Sequence, residues 1–350
     1  MTHGHRPVSI GRPGPGCDKL VFVPQIALTE IESTVAVALQ AHGATPAVAA
    51  SVARAVRTAE AKGNKICGLY YVESYCRQLV SGRVNGTVEP VVTHAKAGAV
   101  RVDARFGFAQ PAFSAGFDEA VGAAKDGGVC GYSIEHSHTC TSLGYFTEQF
   151  AEAGLIAIGA TNSTARVAPP GGMKPLLGTN PFAMAVPGRD GGVAFQWDFS
   201  TSAVALGKIT MAAAAEEAIP LGWAVDANGE PTTDPHAAPQ GSLVSAGGYK
   251  GYGIGLMVEV LASALTAGVS SWDMEPLKAV EGGPHDLGQF YVLIDPGGYA
   301  GAGFHDRIEA LVATVAEQPA ARLPGVPTAL PESVDVDDAT WSLIQGLATR

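Results

Sequence analysis

The chain has 350 residues, 47% of them hydrophobic, and a formal net charge of −11. That length holds one large or two ordinary domains around a sizeable core. The acidic balance and the lack of any Lys/Arg run exclude a nucleic-acid footprint, and no apolar run is long enough for a membrane span.

Residues 1–22, with His3 and His5 and a Pro/Gly-rich stretch, read as a flexible tail with solvated histidines and without the apolar core of a signal peptide. The cysteines are Cys17, Cys67, Cys76, Cys130 and Cys140. Their odd number, irregular spacing and lack of a CxxC pair point to free thiols in a reducing cytoplasm. After a short apolar entry over residues 17–27, Thr29 with Glu32 fits a capping box that opens a helix reaching Gly43. Pro46 to Ala61 carries Val48, Val52, Val56 and Ala59 at helical spacing, and a third helix covers Leu69 to Leu79. The chain up to Ser81 therefore reads as helical.

From Val91 the texture changes. Short strands are expected at Val91–Val92 and Val100–Val102, then a helix from Pro111 to Gly127–Gly128. A buried strand over 128–134, a helix over Leu143–Ala153 and a strand over Leu155–Ala160 follow. Further strands fall at Phe182–Val186 and Val193–Trp197. This alternation indicates a mixed α/β layer. Residues 222–250 are mostly turn-forming and lead into a strong helix over 251–267. A loop over 270–288, a strand at Gln289–Ile294, and helices at Phe304–Glu317 and Trp341–Leu347 complete the chain.

The most informative stretch is Gly159 to Lys208. Between two strands lie roughly twenty residues with no helical or strand period, a length that marks functional or disordered loops. Val167, Met173, Leu176 and Leu177 punctuate it, so it is expected to be held down and to line a site. The strand ending on Asp198 gives way to Ser200, Thr201 and Ser202, a carboxylate and three hydroxyls suited to a polar ligand. A plain Asp/Ser turn is the competing reading. At Gly247–Gly255 a glycine-rich turn with Lys250 precedes a helix, a plausible phosphate cradle. It is neither a Walker motif nor a GxGxxG after a strand, and a glycine-packed helix start with a solvated lysine competes with it. Glu135–Cys140 sets His136, His138 and Cys140 on one face of a strand without usual zinc spacing, so no metal is expected there. A substrate-facing histidine and a structural one are both open. No GxSxG elbow supports a nucleophilic triad.

The runs ATNSTARVAPPGG, LLGTNPFAMAVP, DFSTSAVALGKI, IPLGWAVDANGEPTTDP and GGYKGYGIGLMVEVL occur in order. Together they resemble the non-Rossmann malate/L-lactate dehydrogenase family over residues 23–350. That family also includes ureidoglycolate dehydrogenase, diketogulonate reductase and the Δ1-piperideine-2-carboxylate (cyclic ketimine) reductases. The resemblance implies an α+β fold. A helical, dimerising part over 23–95 and 245–350 would flank a cofactor-binding layer over 96–244 with a largely antiparallel sheet. It also implies a cytoplasmic homodimer that uses NADH or NADPH on a small-molecule substrate. Carried over by motif, the cofactor contacts are Asp198, Phe199, Ser200, Thr201, Ser202, Val204, Tyr249, Lys250 and Gly325. Thr161, Asn162, Ser163 and Asn180 line the same cleft.

One departure stands out. Where the family carries Ser-His-Gly and then an arginine, this chain reads Lys65-Ile66-Cys67-Gly68-Leu69-Tyr70-Tyr71. By register Cys67 replaces the proton-donating histidine and Tyr71 the carboxylate-gripping arginine. His138 matches a second family histidine, with His136 an alternative by a local shift. The expectation is an NAD(P)H-dependent reductase of a small C=N or C=O group. Its proton donor would be His138, with Tyr71 and Cys67 as alternatives, and Asp198 would orient cofactor or substrate. The rival is a catalytically degenerate homologue that binds a dinucleotide or a partner.

Overall fold

The computed structural model describes residues 24–325 and 329–349; the tail expected over 1–22 lies outside the described residues. Strand β1 (Gln25–Ala27) runs straight into helix α1 (Leu28–Ala41). The expected capping box is not formed: Ala27 occupies the cap position, and Thr29 lies inside the helix. Tertiary contact sets the start instead, through the Leu28 amide bonded to the Glu332 carbonyl at 2.9 Å. Helix α2 (Pro46–Ala61) begins as the sequence indicates, with Thr45 accepting from the Val48 amide at 3.3 Å and Pro46 in the first turn. Two 3₁₀ turns, Lys65–Cys67 and Leu69–Tyr71, lead into α3 (Val72–Ser81), so the third helix is α-helical only from Val72.

The layer follows as β2 (Val91–Lys96), β3 (Ala99–Asp103), α4 (Ala109–Gly127), β4 (Val129–Ser137), α5 (Gly144–Glu152), β5 (Ile156–Thr161), β6 (Phe182–Pro187) and β7 (Val193–Phe199). Next come α6 (Leu206–Ala214), β8 (Ala224–Val225), β9 (Pro231–Thr232), β10 (Ser242–Leu243), α7 (Tyr249–Glu259), β11 (Leu287–Ile294), α8 (Gly303–Ala316), β12 (Ser333–Asp335) and α9 (Asp338–Ala348). The described residues form a seven-stranded sheet in the order β2-β3-β4-β11-β5-β6-β7, a three-stranded sheet β10-β8-β9 and the pair β1-β12. Every neighbour in the large sheet is antiparallel except β3 and β4. The fold is α+β.

Two of the three buried clusters among the described residues hold the helical part and the large sheet, and the third packs Val167, Leu177 and Ile209 under the polar loop. Ile31, Val35, Leu39, Val52, Val56 and Tyr75 bury the helical part, and α9 closes it with Trp341 and Ile344. Phe113, Tyr132, Phe146, Phe150 and Tyr291 fill the second between sheet and helices. Residues 245–350 are expected with the helices, yet β11 leaves that segment to pair with both β4 and β5. Leu287, Gln289, Tyr291 and Leu293 are buried along it, alternating in a way that suits a central strand.

Helix α7 is α-helical only to Glu259 and continues as a π-helical turn over Val260–Ala264. The distortion lies where β11 comes closest. A Cβ on Gly288 would stand 1.9 Å from Thr266 Oγ1 and 2.1 Å from the Ala262 carbonyl oxygen. Helix α6 falls where the sequence carries no assigned element; it buries only Ile209, too little to show as a period.

Candidate functional site

The polar loop after β5 is held down as its apolar residues imply. Val167 and Leu177 form a bridge and are buried, whereas Met173 and Leu176 are exposed. After β7 the chain turns and runs beside residues 244–246. The Ala203 amide donates to the Val244 carbonyl at 2.7 Å and the Ala246 amide to the Thr201 carbonyl at 2.9 Å. Ser202 pairs with Ser245 between them. The turn that follows Asp198 thereby lies beside the segment that leads into the helix start at Lys250.

A loop without regular structure satisfies its backbone through side chains. That accounts for many of the residues singled out in the sequence. Thr201 Oγ1 donates to the Thr179 carbonyl at 3.1 Å and lies 3.2 Å from that of Asn180. Ser202 Oγ bonds to the Val204 carbonyl, and Thr161 Oγ1 to that of Gly288. Asn162 Nδ2 donates to the Val269 carbonyl, and Ser163 Oγ accepts the Thr179 amide. Asn180 is wholly buried, and Val204 nearly so. These residues brace the backbone behind the site, and none of them lines either of the two cavities beside Asp198 and α7. Asp198, Phe199, Ser200, Tyr249, Lys250 and Gly325 retain open surface.

A cavity of about 420 Å³ lies beside Asp198, lined also by Thr58, Lys62, Asn64, Ser142, Gly144, Tyr145, Gln196, Trp197, Phe199 and Gly325. The Asp198 carboxyl accepts the Gly144 amide at 2.8 Å and the Ser142 hydroxyl at 3.5 Å. Crowding by protein raises its pKa above the usual carboxylate range, and the Gly144 amide works in the opposite direction. The group still meets solvent through the cavity. Gln196 Oε1 and Trp197 Nε1 are buried on this wall without a hydrogen-bond partner. Gly325 sits at φ 55°, and an added Cβ would lie 2.2 Å from the Gln196 carbonyl oxygen. Lys62, paired with Glu148, and Asn64, Tyr145, Gln196 and Trp197 escaped the sequence reading. The strand period carried a signal for Gln196, which shares a face with Asp198.

A second cavity, about 450 Å³, is lined by Pro169–Met173, Ser245, Gly248 and Tyr249 among others. No side chain caps α7, and Gly248, at φ 65°, has open space where a Cβ would stand. Lys250 is exposed and makes no ion pair among the described residues. A lysine opposes the positive end of its own helix, so an anion there is favoured twice. Free amides, a cation, hydroxyls and unpartnered polar atoms fit a dinucleotide.

Cys67 and Tyr71 ride on the two 3₁₀ turns. Glu60 Oε1 accepts the Leu69 amide at 2.8 Å, and Gly68 passes so close that a Cβ would lie 2.1 Å from that oxygen. Burial pushes the Cys67 thiol up to about 12, and the Asp198 charge adds to the rise, against a bond from the Asn64 side chain. Burial likewise pushes Tyr71 up to about 12, with Cys67, Tyr70 and Cys140 nearby. Both therefore stay protonated and are weak acids near neutral pH.

His138 is 1% exposed and lies in the interior, with ring centroids 4.2 Å from His285, 5.2 Å from Phe108 and 5.5 Å from Tyr75. Gln78 spends its NH₂ on the Leu277 and Ala279 carbonyls, so its Oε1 faces His138 Nε2 at 2.8 Å. That assigns the proton to Nε2. Nδ1 is buried without a hydrogen-bond partner, since the nearby Thr139 backbone falls short of bonding geometry. Burial, then His285 and Arg83, lower its pKa well below the usual histidine range. The imidazole expected to donate a proton is thus neutral and not on the Asp198 cavity wall. His136 is half-buried, 2.8 Å from Asp286, and this pairing outweighs burial and raises its pKa. Among the described residues no three His, Cys, Asp or Glu side chains are grouped to hold a metal.

A model of the malate/L-lactate dehydrogenase family matches residues 26–343. The chain belongs to this family. It is 38% identical over 312 residues to a Δ1-pyrroline-2-carboxylate/Δ1-piperideine-2-carboxylate reductase of Pseudomonas putida, covering 89% of this chain and 90% of that one. It is 39% identical over 300 residues to a (2R)-3-sulfolactate dehydrogenase (NADP⁺) of Chromohalobacter salexigens, covering 86% and 89%. The crystal structure of the Δ1-piperideine-2-carboxylate reductase of Pseudomonas syringae superposes with a TM-score of 0.83 at 33% identity, over 93% of this chain and 99% of that one. As a member of the malate/L-lactate dehydrogenase family the chain is an NAD(P)H-dependent oxidoreductase.

Proposed function

We propose that the chain reduces a small cyclic imine with NADH or NADPH. The observation that carries this reading is Asp198 on the cavity wall, while the candidate acids Cys67, Tyr71 and His138 are half-buried or buried and none of them lines that cavity. Cys67 and Tyr71 hold their protons to about 12, and His138 is neutral and interior. A ketone reduced here would leave an alkoxide that the Cys67 thiol, the Tyr71 phenol and the neutral His138 serve poorly as acids. A cyclic imine can arrive protonated, and hydride addition at its carbon then leaves a neutral amine. Asp198 faces that cation across the cavity and stabilises it electrostatically. The similarity to pyrroline- and piperideine-2-carboxylate reductases supports the same substrate class.

NADH or NADPH would supply the hydride. Lys250 and the first turn of α7 would bind its phosphates; Phe199, Ser200, Tyr249 and Gly325 would orient it, and the inward-turned residues would hold them. In this reading the protein is a cytoplasmic homodimer. Ile254, Leu256, Met257 and Val260 are over 40% exposed on and just after α7, an apolar face that a second copy would cover.

The raised pKa of Asp198 favours a second reading, in which that carboxyl protonates the oxygen of a 2-oxo acid as hydride reduces it to a 2-hydroxy acid such as 3-sulfolactate. Initial rates of NADH and NADPH oxidation with Δ1-piperideine-2-carboxylate, Δ1-pyrroline-2-carboxylate, pyruvate and oxaloacetate separate the two. The imine reading expects kcat/KM at least about tenfold higher on the imines. Equal or faster turnover of a plain 2-oxo acid would remove it.

A further inference from the structure

We propose that Glu259 is a positioning residue of the cofactor site, setting where the start of α7 stands relative to the turn after Asp198. The inference rests on the dinucleotide reading above. Glu259 lies at the far end of α7 from Lys250, at the junction with the π-helical turn. It is 6% exposed and carries a carboxylate into the interior with no cation paired to it among the described residues. Its two oxygens instead collect donors from two other segments. The Asn180 Nδ2 group donates to Oε2 at 2.8 Å. The Ser271 hydroxyl donates to the same oxygen at 2.5 Å, and the Ser271 amide to Oε1 at 2.7 Å.

Asn180 is the link outward. Its backbone is at φ 37°, a positive value that asparagine tolerates better than most non-glycine residues and that its side-chain bonds help to hold. Its Nδ2 group also reaches the Gly255 carbonyl at 3.1 Å, one turn back along α7. Its own carbonyl lies 3.2 Å from the Thr201 hydroxyl. The Thr201 carbonyl in turn accepts the Ala246 amide, three residues before α7 begins. Bonds therefore run from Glu259 through Asn180 and Thr201 back to the start of the same helix. Gly255 lets the helix lie close against this path, since a Cβ there would be 3.2 Å from Thr201 Oγ1. With Glu259 in place the helix cannot slide along its axis without breaking charge-assisted bonds. Without it, the free amides and Lys250 lose their fixed height against Ser200.

The test is direct binding of NADH and NADPH, followed by fluorescence and calorimetry, to wild type, Glu259→Gln and Ser271→Ala. Glu259→Gln keeps the shape but turns an amide NH₂ toward a donor. The expected result is a Kd for the dinucleotide raised roughly tenfold, the loss of one charge-assisted bond. At saturating cofactor, kcat and the KM for the imine change little. Ser271→Ala, a milder change, gives a smaller rise in the same direction and guards against a Glu259→Gln variant that fails to fold. A purely structural role would lower Tm and leave the Kd of the folded variants at the wild-type value; that result overturns the proposal. Wild type that binds neither dinucleotide overturns both this proposal and the functional reading, and is seen before any variant is made.

Discussion

Replacing Asp198 by Asn separates function from stability. The amide keeps the shape and can still accept the Gly144 amide that now lies 2.8 Å from the carboxylate. What disappears is a negative charge facing the cavity. A cation in contact at about 4 Å gains about 4 kcal/mol from that charge at an effective dielectric of about 20. The cavity admits solvent, so about half of this is expected to survive, or ~2 kcal/mol and roughly 30-fold in kcat/KM for an imine. Stability should move the other way. The folded pKa of Asp198 is raised by burial. The folded state therefore favours the protonated form, and wild type loses stability as pH rises from the unfolded carboxyl value through the folded one. The Asn variant escapes that loss. It should melt no lower than wild type near neutral pH, and wild type should gain on it as pH falls towards about 4. Steady-state kinetics and thermal melts across pH measure both. A folded Asn variant with kcat/KM within about twofold of wild type would refute the electrostatic reasoning.

Three further outcomes are expected. In Gly68→Ala the new Cβ would stand 2.1 Å from Glu60 Oε1, displacing the carboxylate from the Leu69 amide. The lost bond should cost about 2 kcal/mol, a fall of about 3 °C in Tm, with activity falling further because the turn carries Cys67 and Tyr71. Cys67→His puts an imidazole beside Asp198 and should raise kcat on pyruvate by about 100-fold while changing imine rates little; no gain would argue against Cys67 facing the reacting atoms. The acid limb of stability should follow the interior histidines. Burial lowers His138 and takes His285 to about 4. Their unfolded counterparts protonate near 6.5, so stability is lost as pH falls from about 6.5 towards about 4. His136, raised by Asp286, opposes this weakly. Urea midpoints between neutral pH and about 5 should fall for wild type and flatten in His285→Gln.

Periodic segments were legible because their periods report burial directly. Helix α2 has the bounds its valines and Pro46 indicate, and β6 and β11 begin or end within two residues of the apolar runs that mark them. Segments fixed by distant partners were not. Helix α1 starts where β12 and Glu332 place it rather than at Thr29, and the strands of the small sheet are two residues long, too short to show a period. The polar turn shows the same division. Composition revealed its hydroxyls, but not that Thr201 and Ser202 turn inward to satisfy carbonyls. His138 illustrates a subtler loss. A regular strand would set His136 and His138 on one face, but His136 adopts φ 51° and breaks the alternation. His136 then meets Asp286 near the surface, and His138 enters an aromatic interior. The departure at Cys67 and Tyr71 was plain in the sequence; its effect on acidity needed the burial and neighbours that only the fold supplies.

The most direct trial of the account is to follow a labelled hydride. Incubated with Δ1-piperideine-2-carboxylate and NADH or NADPH carrying deuterium at the nicotinamide C4, the protein should yield a cyclic amino acid with deuterium bound to the former imine carbon, read by mass spectrometry. Unlabelled substrate recovered intact, while pyruvate or oxaloacetate takes up the label, would contradict it.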